Sequence, residues 1–162
     1  MAVDMFIKIG DVQGEAQDKA HKGEVDVLAW SWGMSQSGTM HTGSGGGAGK
    51  VNIQDLSVTK WVDKSSPVLM TYCSTGQQFK EAKLTVRKAG GDNPLEYLIV
   101  VMSDVIVTSV STGGSGGEDR LTENVTLNFA KVRMDYQPQK PDGSKDGGPI
   151  KYGWDLAANV KI

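Results

Sequence analysis

Two histidines, one cysteine and a run of glycines are the residues whose types could support catalysis or metal binding. His21 and His41 each stand in a polar stretch, outside any HExxH or CxxC spacing, so the sequence predicts two solvated loop histidines rather than metal ligands. Cys73 falls among apolar residues at helical spacing, which favours a small core residue over a nucleophile. The sequence therefore predicts no catalytic residues, no metal site and no cofactor.

The glycine-rich stretch that begins at Gly43 resembles two nucleotide-binding motifs and departs from both. Residues 43–48 fit G-x-G-x-x-G/A, but the chain from Val51 onward has the pattern of a strand, so the helix N-terminus that binds a pyrophosphate is missing. The match to a P-loop fails because Ser44 replaces the first glycine and Val51 replaces the Mg²⁺-binding hydroxyl residue. A flexible loop is the favoured interpretation, and a nucleotide-binding enzyme remains a remote alternative.

The length of the chain favours a single domain that spans residues 1–162, and its net charge limits the kinds of partner it can bind. The 162 residues carry a net charge of −2, which argues against a nucleic-acid partner or an anionic membrane surface. No stretch is apolar and long enough to span a bilayer, and the N-terminus lacks the basic region of a secretory signal. We therefore expect a protein made in the cytoplasm, with no cleaved signal peptide and no membrane insertion.

One stretch has the marks of a helix, and most of the remaining chain alternates as strands do. The helix is predicted over about 66–75, with Ser66 as its N-cap, Pro67 at its first position and Gly76 as its left-handed stop. Several long strands joined by loops, with one helix, predict a mainly β fold. The expected architecture is a small β-barrel of two antiparallel sheets with the helix packed at its side.

The strand predicted over 24–36 has one bulky face and one small face. Residues two apart on a strand point to the same side, so the bulky face is expected to pack the core. Its members are Leu28, Trp30, Trp32 and Met34. The small face is left either to accept a close neighbour or to form a smooth, weakly polar surface. Its members are Val25, Val27, Ala29, Ser31, Gly33 and Ser35.

The strand predicted over 95–110 is apolar on both faces. An antiparallel strand with one solvated face would be polar on that side, so both faces of this strand require cover. The helix can cover part of the second face, and another subunit is expected to cover the rest. The residues that we expect at this subunit interface are Leu98, Val100, Met102 and Ile106.

Four segments together resemble the haemolysin-coregulated protein (Hcp) family of bacterial type VI secretion. They are Asp63–Leu69, Leu28–Gly33, Glu96–Val100 and Glu123–Phe129. The resemblance implies a homo-hexameric ring that stacks into a tube within a contractile sheath, below a spike protein, and that carries secreted effectors in its lumen. It also implies no catalytic centre unless a toxin domain follows, for which the chain leaves no room. The tube would assemble in the cytoplasm and then be secreted into the surroundings or a target cell.

The resemblance gives two surfaces an expected role. The small face with Ser31, Gly33 and Ser35 is expected to look into the ring lumen and contact cargo. The loop over 37–50 is expected to bridge neighbouring subunits or stacked rings through Gly43, Gly45, Gly46, Gly47, Gly49 and Lys50. The alternative left open by the sequence is a monomeric β-barrel that binds a small ligand in an apolar pocket.

Overall fold

The computed structural model describes residues 2–38, 40, 41, 47 and 49–162, and this part of the chain folds as a closed barrel of antiparallel strands. Its elements, in chain order, are β1 Val3–Ile9, β2 Val25–Ser31, β3 Met34–Ser35, β4 Asn52–Ile53, β5 Leu56–Trp61, α1 Ser65–Thr75, β6 Gln78–Lys88, β7 Glu96–Gly113, β8 Thr122–Tyr136, β9 Ile150–Asp155 and β10 Val160–Lys161. The main sheet has the order β10-β9-β8-β5-β2-β1-β6-β7, and β7 also pairs with β8. Six strands therefore close on themselves, which confirms the predicted barrel with one helix.

The interior of the barrel is filled by alternate side chains from its strands. In β6, Ala82 and Leu84 are fully buried at alternate positions of the strand, as expected for side chains that share one face. Each large apolar side chain buried in this way contributes about 2 kcal/mol of transfer free energy. Fully buried members of the core from the other barrel strands include Ile7, Val25, Leu56, Met102 and Leu127.

The two longest strands, β7 and β8, change their buried parity at the same level. In β7 the buried positions are even-numbered before Asp104 and odd-numbered after it, and Asp104 has a φ of 55°. The facing pairs Ser103–Lys131 and Val105–Phe129 keep a constant register on either side of this point. In both strands, therefore, the residues that face the core have one parity before this level and the opposite parity after it.

The sequence-based assignment of the two faces of β2 is wrong for its first half. Val25 and Val27 are buried, whereas Leu28 is exposed. A register shift between Val27 and Ala29, in the pairing with β5, inserts one extra residue and inverts the parity of the strand. Beyond the bulge the bulky face does turn inward, because Trp30 packs against the core.

Helix α1 ends where the sequence predicts. Gly76 has φ 68° and ψ 25°, a left-handed conformation that glycine adopts without a steric cost, and its N–H donates to the carbonyl of Tyr72 at 3.0 Å. Leu69 is fully buried beneath the helix, and Cys73 is half-buried against the core, as expected.

The start of α1 differs from the prediction. The helix begins at Ser65, so Pro67 is its third residue and Ser66 lies inside its first turn. The capping oxygen belongs to Asp63, whose Oδ1 accepts the N–H of Ser65 at 2.9 Å. Ser66 does not cap the helix because its hydroxyl is held in a buried polar cluster below α1.

Candidate cargo and assembly surfaces

A row of small hydroxyl side chains crosses four neighbouring strands of the barrel. Ser31 of β2 faces Ser57 of β5, Ser57 faces Thr126 of β8, and Thr126 faces Ser109 of β7. Ser31 and Ser109 are exposed, and the other two side chains are half-buried. We call these four residues the hydroxyl row. Together they form a flat polar strip with no bulky side chain.

Hydrogen bonds hold the side chains around the hydroxyl row in place. The hydroxyls of Ser109 and Thr126 lie 2.6 Å apart, and Thr108 donates to Oδ2 of Asp55 at 2.7 Å. Asn128 donates from Nδ2 to Oδ1 of the same carboxylate at 2.8 Å. Because their polar atoms are paired within the surface, these residues present a smooth face that offers weak polar contacts.

Of the three small-face residues predicted to look into the lumen, Ser31 alone lies on a barrel strand. Gly33 follows β2, and its carbonyl accepts the N–H of Gln54 at 2.9 Å. Ser35 is exposed in the separate two-stranded sheet, where it faces Asn52 of β4. The partners of Ser31 on β5, β7 and β8 were missed by the sequence analysis, although their polar side chains at alternate strand positions could have indicated an outward face.

The glycine-rich loop is the connection between β3 and β4. Met34 faces Ile53 at its base, and Gly47, Gly49 and Lys50 are exposed. The predicted bridging residues Gly43, Gly45 and Gly46 lie outside the described residues.

The predicted interface strand requires a correction. Val100 and Met102 are 1% and 0% exposed and belong to the core of their own barrel, so neither side chain is available to a second subunit. The parity change at Asp104 explains this, because it brings even positions inward in the first half of β7. Leu98 and Ile106 are half-buried and retain surface that a neighbour could cover.

A buried polar cluster joins β5, β8 and the first turn of α1. Lys60 and Glu123 are 0% and 1% exposed, face each other on adjacent strands and form an ion pair. Nζ of Lys60 also donates to Oγ of Ser66 at 3.2 Å and lies 3.1 Å from Oδ1 of Asp63. Ser66 in turn donates to Glu123 and accepts the N–H of Asp63. We call these four residues the buried ionic cluster, and it fixes the helix to the barrel.

His21 is buried, which corrects the expectation of a solvated loop histidine. The residue is 7% exposed, and its ring stacks on Phe6 with 4.5 Å between centroids. Nδ1 lies 2.9 Å from Oε2 of Glu24, and Nε2 lies 2.7 Å from Oε1 of Glu96. The sequence could not indicate this site because Glu96 is distant along the chain. His41 is exposed, as expected.

The neighbouring connection between β1 and β2 is held by a second ionic contact. Arg87 is buried at 7% exposure and pairs with Asp18 and, at 3.4 Å, with Asp4. The hydrogen bond from Arg87 holds the pKa of Asp18 below its ordinary value. Arg87 therefore ties the loop that carries Asp18 to the β1–β6 ladder.

Comparison with known proteins identifies the family. Residues 6–136 match the family described as type VI secretion system effector, Hcp. The chain is 71% identical, over 161 residues and 99% of both chains, to protein hcp1 of Pseudomonas aeruginosa. The chain belongs to the Hcp family. The resemblance drawn from the four sequence segments is thereby confirmed.

Solved structures of Hcp proteins share the whole fold. A type six secretion system protein superposes with a TM-score of 0.92 at 34% identity, covering 99% of this chain and 100% of that one. Hcp1 from Salmonella typhimurium gives a TM-score of 0.82 at 41% identity, with 100% of each chain covered. This Hcp chain contains, within its described residues, no helix with the length and apolarity needed to cross a membrane.

Two of the four segments that carry the Hcp resemblance meet in the buried ionic cluster. Asp63 and Ser66 come from the strand-to-helix segment, and Glu123 comes from the start of β8. Ser66 and Glu123 are buried and the side chain of Asp63 is 7% exposed, so their part in this Hcp chain is to position α1 rather than to contact a partner.

Proposed function

We propose that this Hcp chain is the structural subunit of a type VI secretion inner tube. It forms hexameric rings, and the rings stack into a tube that sheath contraction expels with a spike protein at its tip. Secreted effectors travel inside the ring. The subunit acts without a catalytic centre or a cofactor, and it assembles in the cytoplasm before it is secreted.

The hydroxyl row is the observation that carries this proposal. A passage for diverse proteins requires a wall that neither blocks them nor binds them tightly. Small hydroxyl side chains carry no charge and expose little apolar area, and two of the four, Ser109 and Thr126, are hydrogen-bonded to each other. We therefore place the strip from Ser31 to Ser109 on the lumen wall.

The filled interior of the barrel disfavours the alternative of a monomeric barrel that binds a small ligand in an internal pocket. The positions that would line an internal pocket are occupied by fully buried apolar side chains, as in other small barrels whose interiors are closed by packing. Ile7, Leu84 and Leu127 are each 0% exposed. Cargo binding is therefore assigned to the outer surface of the barrel.

A bulky residue in the hydroxyl row tests the lumen assignment. Ser31→Trp should leave the ring intact and lower the amount of effector that copurifies with it by about tenfold, since a Trp narrows the passage. The matched control is Ser74→Trp on the exposed face of α1, which should retain wild-type recovery of effector. Equal effector recovery with both variants would show that the hydroxyl row does not line the lumen.

A further inference from the structure

The connection between β1 and β2 folds back on itself and ends in a buried histidine. The N–H of Ala16 donates to the carbonyl of Glu24 at 3.0 Å, and the N–H of Gly23 donates to the carbonyl of Ala16 at 3.1 Å. Residues 17–22 lie beyond these bonds, and we call them the tip. His21 is the buried side chain of the tip, so the contacts of its ring decide how the tip is held.

Both ring nitrogens of His21 meet a carboxylate. Nδ1 lies 2.9 Å from Oε2 of Glu24, and Nε2 lies 2.7 Å from Oε1 of Glu96, the first residue of β7. An ionised carboxylate accepts hydrogen bonds and donates none, so each nitrogen has to supply a proton. A neutral imidazole carries one such proton and would place a nitrogen lone pair against a carboxylate oxygen. The geometry therefore requires an imidazolium.

The charges around His21 also favour the protonated ring. The ring stacks on Phe6, and the guanidinium carbon of Arg87 lies 5.0 Å from the centroid of Phe6. The two cations, His21 and Arg87, are outnumbered by the carboxylates paired with them or opposite Phe6, which are Asp4, Asp18, Glu24, Asp26 and Glu96. Because an imidazole is ordinarily more basic than a carboxylate, the shared proton resides on the ring.

The contact of His21 with Glu96 holds the tip beside a hollow of about 750 Å³. Asp18, Lys19 and Ala20 of the tip line this hollow together with residues 90–94 and Glu96. Among the described residues, two ionic contacts tie the tip to strands of the barrel, Asp18 with Arg87 and His21 with Glu96. Histidine is the side chain that ordinarily changes its charge near neutral pH, so the second contact is the one that a small change of pH can break.

We propose that His21 is a proton-dependent latch, whose imidazolium holds the tip against the start of β7 and whose loss of one ring proton releases the tip. This inference goes beyond the proposed tube function and does not depend on it. The closed latch binds one more proton than the released form with a neutral ring, so acidification favours closure and a rise in pH favours release. Stronger acid opens the latch again, because it protonates Glu24 and Glu96. Release also removes a positive charge from the side of the hollow.

The number of protons on the ring tests the latch directly. In ¹⁵N NMR of protein labelled at histidine alone, His41→Gln assigns the two rings, and the exposed His41 is the internal reference. At pH 7, His21 should carry a proton on both ring nitrogens. In Glu96→Gln, the amide can donate to Nε2 of a neutral ring, so His21 should carry one proton, on Nδ1. A wild-type ring with a single proton at pH 7 would overturn the proposal.

Hydrogen exchange of the backbone tests the release of the tip. After correction for the intrinsic effect of pH, exchange in residues 13–24 of the wild type should accelerate by about tenfold between pH 7 and pH 9.5, while β6 stays protected. In Glu96→Gln the acceleration should stay below about threefold, because the bridge no longer needs a second ring proton. Glu118→Gln alters an exposed carboxylate outside the latch, and this matched control should respond as the wild type does. Absence of acceleration in the wild type, or equal acceleration in Glu96→Gln, would overturn the proposal.

Discussion

Lys60 and Glu123 lie directly opposite each other on β5 and β8, and their side chains form an ion pair from which solvent is excluded. The carboxylate also accepts the hydroxyl of Ser66, so one buried group connects two barrel strands to the first turn of α1. Burial of two charges is costly, and the geometry of their partners must offset that cost. The pair therefore specifies how the helix is placed more than it adds to stability.

Removal of one charge from the pair should strongly destabilise the folded state. Glu123→Gln leaves the ammonium of Lys60 with a reduced share of negative charge in a solvent-free site. The expected loss is about 3 kcal/mol in the free energy of unfolding, measured by urea denaturation.

Removal of both charges provides the control for that measurement. Lys60→Met/Glu123→Leu leaves no buried charge of this pair, so the double variant should recover most of the stability lost in Glu123→Gln. A loss equal to the sum of two large single effects would contradict the account, because it would mean that the pair stabilises the fold strongly.

The contact between Arg87 and Asp18 predicts a pH dependence. The folded-state pKa of Asp18 lies below the ordinary value of 3.8, so its stabilising contribution is present above that value and is lost as pH falls through the folded pKa. Asp18→Asn should lower the Tm slightly and equally at pH 7 and pH 5. The difference from the wild type should shrink as the pH falls below 3.8. A Tm difference that grows on acidification would contradict the assigned sign.

Gly76 should be sensitive to a side chain for conformational reasons alone. A Cβ at this position would meet no atom closer than 3.9 Å, but its φ of 68° is unfavourable for alanine. Gly76→Ala should therefore cost about 1 kcal/mol in the free energy of unfolding. Gly148→Ala is the control, because a Cβ there meets no atom within 4 Å and the backbone φ is not positive. Equal stability of the two variants would show that the left-handed stop is unimportant.

The glycine-rich loop should act in assembly rather than in folding. Deletion of Gly43–Gly49 removes no residue of β3, β4 or the barrel strands, so the barrel should still fold. The thermal unfolding temperature should stay close to that of the wild type, while the length of tubes seen by electron microscopy should fall sharply. A variant in which Gly43, Gly45 and Gly46 become Ser keeps the loop length and should still form tubes. Normal tubes from the deletion variant would mean that the loop does not bridge subunits or rings.

The sequence predicts most of the architecture because local chemistry determines much of it. A left-handed glycine ends α1 at Gly76, and simple alternation in β6 places Ala82 and Leu84 inside. The predicted assignment of the faces of β2 is wrong in its first half because the residue types do not indicate a β-bulge. A single extra residue exchanges the side chains that face the core for those that face outward.

The candidate surfaces were harder to predict because they depend on strand pairing. Ser31 was found, but its row required the register of four strands. The buried ionic cluster was missed since Lys and Glu usually lie on the surface. Its signal was nevertheless present, because Lys60 continues the inward alternation of Leu56 and Val58, and Glu123 has the same parity as Val125.

The mass of the purified protein in solution tests the central claim most directly. Light scattering on a sizing column should give one species of six chains, each of 17.3 kDa, at micromolar concentration. That result would establish the ring on which the lumen and stacking proposals depend. A single species with the mass of one chain, unchanged on raising the concentration, would contradict the ring-forming subunit.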